Sequence, residues 1–327
     1  MSEHSPTASA VTALVEAATA APSMHNAQPW RFRYAAATCT LELRPDPDRS
    51  MPRADPDDRA LHLGCGAALF NLRVAAAHAG RHPQTALLPD PDDPQLLATV
   101  RLAATDRPSP GLAALYPAIP QRHTSRRPFA DQDIPAELRD RLSGAARAEG
   151  AELAFPDPWH AAHLLDLVAD AEGRDSLDPS RFEDVARWTR LGDASSPDGI
   201  PEYAFGPRKR DGAAPVRDFA GRRPGADRGS AAFEGVPHIA LLGTAHDGRA
   251  DWLRAGQAME RVLLLATLAD LATAITSHAL EWPDLRELVR DPTSAMGHVQ
   301  ILLRLGYGPP GPATPRRPVH EVLQIDT

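Results

Sequence analysis

The sequence has almost no lysine: Lys209 is the only one in 327 residues, and arginine carries nearly all of the positive charge. Cysteine is nearly as scarce, with Cys39 and Cys65 alone. Two thiols cannot build a disulfide framework and their spacing suits no metal site, so they read as small buried thiols in a reducing compartment. The stretch Met1 to Thr12 lacks a basic run leading into an apolar core, so no secretory signal is expected. No apolar run reaches the ~20 residues of a membrane span; the longest, starting at Val262, is broken at Thr267 and Asp270. Excess positive charge is missing too. A formal net charge of −8 argues against a non-specific nucleic-acid binder and against attraction to an anionic membrane surface. The expectation is a soluble cytoplasmic protein in which any anionic ligand must meet a local basic cluster.

What is present suffices for a sizeable core: 43% hydrophobic and 24% charged residues are ordinary globular values. The 33 prolines and the many arginines are spread along the chain, which points to coding bias rather than function. Periodicity predicts a disordered start over 1–10, a helix over Val11–Ala20 ended by Pro22, and a β-hairpin from Trp30–Tyr34 and Cys39–Arg44. A long, charge-poor helix over Ala60–Ala79, closed by Gly80, reads as buried on most sides, and Leu97–Leu102 as a strand. Beyond Gln121 the pattern predicts helices over Pro135–Ala148, Trp159–Ala171 and Trp252–Ala274, with strands at Ala151–Phe155, Val236–Gly243 and Val299–Leu305. The stretch Leu191–Ser230 has no sustained periodicity, and such a long irregular segment is either a functional lid or disordered. The two long helices align at an offset of 190: Gly66, Ala68, Leu72, Ala76 and Ala79 meet Gly256, Ala258, Val262, Ala266 and Ala269. Coincidence between Ala-rich helices and a duplication both remain open on that match alone.

Three segments are dense in groups that can hold a ligand. Ala21–Trp30 packs Ser23, Met24, His25, Asn26 and Gln28 between a helix and a strand; a simple Asx-type turn is its plain alternative. Arg122–Phe129 sets three guanidinium groups, an imidazole and two hydroxyls within six residues, and arginine presents fixed donors matched to phosphate oxygens. A solvated basic loop would share that composition. Arg316–Arg317 forms a third basic point between prolines. No dinucleotide fingerprint, P-loop, nucleophile elbow or His-Glu-x-x-His motif occurs.

Taken together these segments carry a resemblance. Pro22-Ser23-x-x-Asn26-x-Gln28-Pro29-Trp30, Arg122-His123-Thr124-Ser125-Arg126-x-x-Phe129 and Pro315-Arg316-Arg317-Pro318 resemble three motifs of FMN-dependent nitroreductases. In those homodimers the phosphate-binding motif comes first in the chain, and each flavin lies between subunits. Here the first half holds only the Pro-Ser-x-x-Asn motif and the second half only the phosphate motif and tail. This complementary loss resembles the Acg family of fused, single-flavin pseudo-dimers, as do Arg187-Trp188-Thr189-Arg190 and Asp198-Gly199-Ile200-Pro201.

The resemblance implies an α+β fold of two related sheet-plus-helix halves, over 11–118 and 119–327, packed through the long helices, with a lid-like insertion near 191–230. It implies FMN, with NAD(P)H and a nitroaromatic, quinone or enone acceptor, in a monomer that mimics a dimer. Arg122, Thr124 and Arg126 would hold the phosphate and ribityl chain, and His123 would approach from the same segment. Pro22, Ser23, Met24 and Asn26 would line the ring, with Gln28 structural. Arg317 would reach the phosphate from the tail, and Arg316 either joins it there or is a plain surface residue. The Glu-Gly pair usual near the reactive edge is replaced by Ser277-His278, where His278 is equally readable as an ordinary loop histidine. That departure, with the possible lid, also admits a protein that stores FMN without turnover.

Overall fold

Both halves of the chain wrap one plan around a 20-residue helix. The computed structural model describes residues 6–104, 109–192, 195–220, 227–290 and 296–326. In the first half, α1 (Ala8–Thr19) starts on the Thr7 hydroxyl, which accepts from the Ala10 amide. It therefore begins inside the tail expected to be disordered; residues 1–5 of that tail lie outside the described residues. Strands β1 (Trp30–Ala35) and β2 (Thr40–Pro45) pair antiparallel as the alternation predicts, Trp30, Phe32 and Tyr34 facing inward and Arg31 and Arg33 outward. Helix α2 (Arg59–His78) has the length and hydropathy of a membrane span, but 89% of its apolar window is buried inside the fold. Strands β3 (Arg81–Leu87) and β4 (Ala98–Ala104) follow, and α3 (Pro110–Ala113) leads to the second half.

There α4 (Ala136–Arg147) and β5 (Glu152–Ala154) come first. Next come α5 (Pro158–Leu177), α6 (Pro179–Arg187) and the paired short strands β6 (Thr189–Arg190) with β7 (Ile200–Pro201) and β8 (Arg208–Asp211) with β9 (Ser230–Ala232). The chain then returns through β10 (His238–Thr244), α7 (Arg249–Leu268), β11 (Ala272–Thr276), α8 (Pro283–Leu288) and β12 (His298–Gly306). It closes with α9 (Val319–Val322) and β13 (Leu323–Asp326).

The sheets run β13-β1-β2-β4-β3 and β11-β12-β10-β5. Read from the strand that follows each long helix, β3-β4-β2-β1 matches β11-β12-β10-β5 strand for strand, so α4 to β12 repeats α1 to β4 with α8 and the stretch from α5 to β9 inserted. Helices α2 and α7 share their length and the offset of 190 at both ends. They cross at Gly66 and Gly256, where a Cβ on Gly256 would overlap the Leu63 carbonyl oxygen and lie 2.9 Å from Gly66 Cα. A contact between equivalent residues is the mark of a two-fold axis, here running within one chain.

Three features depart from expectation. The second long helix stops at Leu268 rather than Ala274, because Asp270 takes a left-handed φ of 58° and the β-branched Thr273, Ile275 and Thr276 extend against β12. Strand β3 has no alternation to reveal it and carries Pro83, which an edge position tolerates. Strand β13 pairs parallel with β1, Phe32 opposite Leu323, so the last residues of the second half complete the first sheet. Within 191–230, residues 193–194 and 221–226 lie outside the described residues. The remainder has a small apolar cluster of its own, formed by Ile200, Ala204, Phe205, Phe219 and Ala220.

Candidate functional site

The loop after α1 is held in an unusual conformation. His25, Asn26 and Gln28 all have positive φ, at 49°, 57° and 56°. Each costs of order 1–3 kcal/mol unless its surroundings hold it there. Ser23 Oγ accepts from the Gln28 amide at 2.8 Å, and Asn26 Nδ2 donates to Gly199 O at 2.9 Å and Pro315 O at 3.1 Å. Gln28 Nε2 donates to Pro197 O at 2.8 Å, while its Oε1 accepts from the Arg317 amide at 2.8 Å. The loop is thus pinned by the inserted segment and by the tail. Asp198, beside these contacts, takes Arg190 at 2.6 Å and Arg49 at 2.9 Å.

The basic segment runs along β11, with Ser125 N bonded to Thr273 O at 2.8 Å and Ser125 Oγ to Pro309 O at 2.8 Å. Arg122 is buried; it donates to Ala20 O at 3.2 Å, and its Nε lies 3.5 Å from Glu260 Oε1. Arg316 donates to Thr19 O, Ala20 O and Ala21 O at 2.8, 3.0 and 3.3 Å and to Asn26 Oδ1 at 3.0 Å. Helix α1 has no basic residue in its last turn, so these two arginines from the second half serve its negative end. Arg126 is less committed. Nη1 donates to Ala204 O at 2.9 Å and the guanidinium lies 4.9 Å from the Phe219 ring centre, with no carboxylate partner among the described residues. Burial, with Arg217 nearby, pulls Arg126 down to about 10; burial, with Arg122, pulls Arg316 down to about 9 despite Glu260. Neither guanidinium is ion-paired with a carboxylate among the described residues.

These elements line one cavity of about 1220 Å³, open mouth included. Of the residues singled out in the sequence, Pro22, Ser23, Met24 and Asn26 from the first half line it. So do Arg122, His123, Thr124, Arg126, Ser277, His278 and Arg316 from the second. Asn26 lines the wall with its polar atoms already spent on Gly199, Pro315 and Arg316. Arg317 is not brought in. Its Nη1 lies 3.1 Å from the buried Asp46 and its Nε 3.5 Å from Glu321, so of the two tail arginines it is Arg316 that lines the cavity.

Sequence reasoning missed Arg59, which lines the cavity, donates to Gln300 O at 2.5 Å and is pushed by burial to about 10. It also missed Arg217, which comes from the inserted segment and reaches Glu281 at 2.8 Å and Asp175 at 3.4 Å. Arg217 Nη1 lies 3.4 Å from His25 Nε2, and His25 meets Phe219 edge-on at 5.5 Å. Ser277 Oγ donates to Glu281 Oε1 at 2.7 Å. Burial first, then Arg217, holds both His25 and His278 well below the usual histidine range, so both imidazoles are neutral near pH 7. Arg217 falls in the irregular stretch 191–230, which the sequence offers as a lid or as disorder without singling out any side chain.

No family model matches the chain. A Mycobacterium tuberculosis H37Rv protein named "Putative NAD(P)H nitroreductase Rv3131" is 35% identical over 332 residues, covering 99% of this chain and 94% of its own. Another from that strain, "Putative NAD(P)H nitroreductase acg", is 33% identical over 334 residues, covering 98% and 96%. Among solved structures, a "putative nitroreductase" from Anabaena variabilis covers 92% of this chain and 88% of its own at 11% identity and a TM-score of 0.49. Identity of a third sustained along nearly both whole chains settles the relationship: this chain belongs to the Acg family of nitroreductase-like proteins.

Proposed function

We propose that the cavity binds one FMN per chain and that the protein passes reducing equivalents from NAD(P)H to a small nitroaromatic, quinone or enone acceptor. The observation that carries this reading is the cluster of guanidinium groups lining one cavity in a protein of net charge −8, above all the half-buried Arg126, which has no carboxylate partner among the described residues. A phosphate is the partner such a donor set lacks. Arg126, Arg122 and the Thr124 hydroxyl would hold it. Leu63, Met259 and Ile301 offer apolar walls for a planar ring, and Pro22 to Met24 an edge. FMN bound there supplies two-electron hydride chemistry, so no side-chain nucleophile is needed. Ile200, Val216 and Phe219 of the inserted segment exclude water from the same space. Donor and acceptor would use the cavity in turn. A monomer is proposed, because the internal pseudo-dyad already buries the equivalent of a dimer interface.

One observation favours a second reading, storage of FMN without turnover. The ion pair from Arg217 to the buried Glu281 ties Pro215 to Phe219 over the cavity. Anaerobic titration of the FMN-loaded protein with NADH and NADPH separates the two. Loss of the oxidised flavin band supports the oxidoreductase, whereas bleaching by dithionite alone supports storage. Protein that takes up no FMN refutes both.

A further inference from the structure

One buried group in the cavity wall is not used by this reading. His278 lines the cavity and is 4% exposed, yet neither ring nitrogen has a hydrogen-bond partner among the described residues. Its Nε2 lies 3.6 Å from Glu172 Oε1, which is itself buried and unbonded among the described residues. The Glu172 side chain is nonetheless 35% exposed, so one carboxylate on α5 touches both the buried imidazole and the outside. The other charged or titratable groups facing His278 are Arg217 from the inserted segment, His25 from the loop after α1 and Lys209 on β8.

We propose that Glu172 and His278 form a proton relay from solvent into the cavity, with His278 as the catalytic residue that protonates the reduced acceptor. The proposal rests on the oxidoreductase reading above. An enone shows the balance. Hydride derived from NAD(P)H adds to the β-carbon, and the displaced π pair moves toward the carbonyl, leaving the α-carbon one proton short. That proton leaves Nδ1 of neutral His278 as Nε2 accepts one from the Glu172 carboxyl group; solvent reprotonates Glu172, and tautomer exchange then returns the His278 proton from Nε2 to Nδ1. Burial raises the Glu172 carboxyl above its ordinary range against the pull of Lys209 and Arg217, which keeps a protonated fraction available nearer neutral pH.

The test uses FMN-loaded protein with ¹⁵N-labelled histidine, the His278 resonances being assigned with His278→Gln. The wild type should show a pH-dependent step in those resonances from ionisation of Glu172, absent in Glu172→Gln and restored in Glu172→Asp. Prereduced protein is then mixed with 2-cyclohexenone or with ferricyanide, an acceptor that needs no proton. His278→Gln should slow the enone reaction about 100-fold more than the ferricyanide reaction. Histidine resonances indifferent to Glu172→Gln, equal slowing with both oxidants, or a wild-type protein inert to the enone would each overturn the relay. Failure of the function itself shows separately, as loss of FMN uptake or of reduction by NAD(P)H.

Discussion

Arg126 is the residue on which the phosphate reading can be made quantitative. Among the described residues its guanidinium donates to one acceptor, Ala204 O, through Nη1, which leaves Nε and Nη2 for an anion. A hydrogen bond to a charged group is worth about 1.5–3 kcal/mol, and about 1.4 kcal/mol is a factor of ten in affinity. Arg126→Ala should therefore weaken FMN binding roughly 10- to 100-fold. Riboflavin, which lacks the phosphate, isolates that contribution from ring packing: its affinity should change little, so the preference for FMN over riboflavin should collapse. Arg126→Lys keeps the charge without the fork and should fall between. Arg317→Ala is the matched control; it should leave both affinities unchanged and lower stability, because it strips one cation from the buried Asp46. Calorimetry or quenching of flavin fluorescence gives each constant. An unaltered FMN-to-riboflavin ratio in Arg126→Ala would sink the argument.

Three further outcomes follow from named contacts. Gly256→Ala should destabilise by about 1–3 kcal/mol through overpacking at the helix crossing, whereas Gly173→Ala, with nothing within 4 Å, should stabilise by about 0.5–1 kcal/mol. Urea midpoints moving the same way in both would refute the crossing. Glu260, fully buried, is raised by burial to about 7 against the pull of Arg122, Asn71 and Arg316. A carboxyl whose folded value lies above its unfolded value binds more protons when folded, so stability should fall by about 3 kcal/mol as pH rises from about 4.5 through 7. Glu260→Gln should flatten that slope, and an unchanged pH profile of unfolding would exclude it. Arg217→Gln removes the tie to Glu281 and should speed FMN release about tenfold by stopped-flow fluorescence, about 1.4 kcal/mol of lost closure.

How legible each part was depended on whether its cause is local. The β1–β2 hairpin and the core helix α2 were readable because alternation and apolar periodicity are written into consecutive residues. The loop from Pro22 to Gln28 and the segment from Arg122 to Arg126 were readable as chemistry, because they concentrate donors in a short span. What distinguishes Arg316 from Arg317 is not local. Asp46, far away in sequence, captures Arg317, and the carbonyl end of α1 captures Arg316. Arg217 was invisible for the same reason: its partners Glu281 and Asp175 belong to other elements, and the prolines and glycines around it give no period. Strand β13 exists only because β1 offers an open edge.

The internal two-fold axis relates each wall of the cavity to a second position, and among the described residues the two positions differ. At the offset of 190, the α2 residues Arg59, Ala60, Leu63 and Gly64 that line the cavity correspond to Arg249, Ala250, Leu253 and Arg254, and Met259 corresponds to Leu69. Gly64 lets α2 lie against Ser23, where a Cβ would come within 3.2 Å of the serine Cβ; its counterpart is an arginine whose stem passes beside Gly150. The loop 21–29, which supplies half of the cavity, has as its counterpart only the turn 148–151, closed by Gly150 at φ 79°. In that turn Glu149 takes Arg73 at 2.5 Å and Arg261 at 2.6 Å, filling with an ion-pair cluster the place of the missing loop. Arg249, the mate of Arg59, is drawn instead to His62 Nε2 at 3.0 Å and the Pro94 carbonyl. The symmetry-related position thus lacks the loop and holds ion pairs instead, and no single substitution should create a second site there. FMN should saturate at one per chain in the wild type and remain there in Arg254→Gly. A second equivalent of tightly bound flavin in either protein would show that the axis still carries two sites.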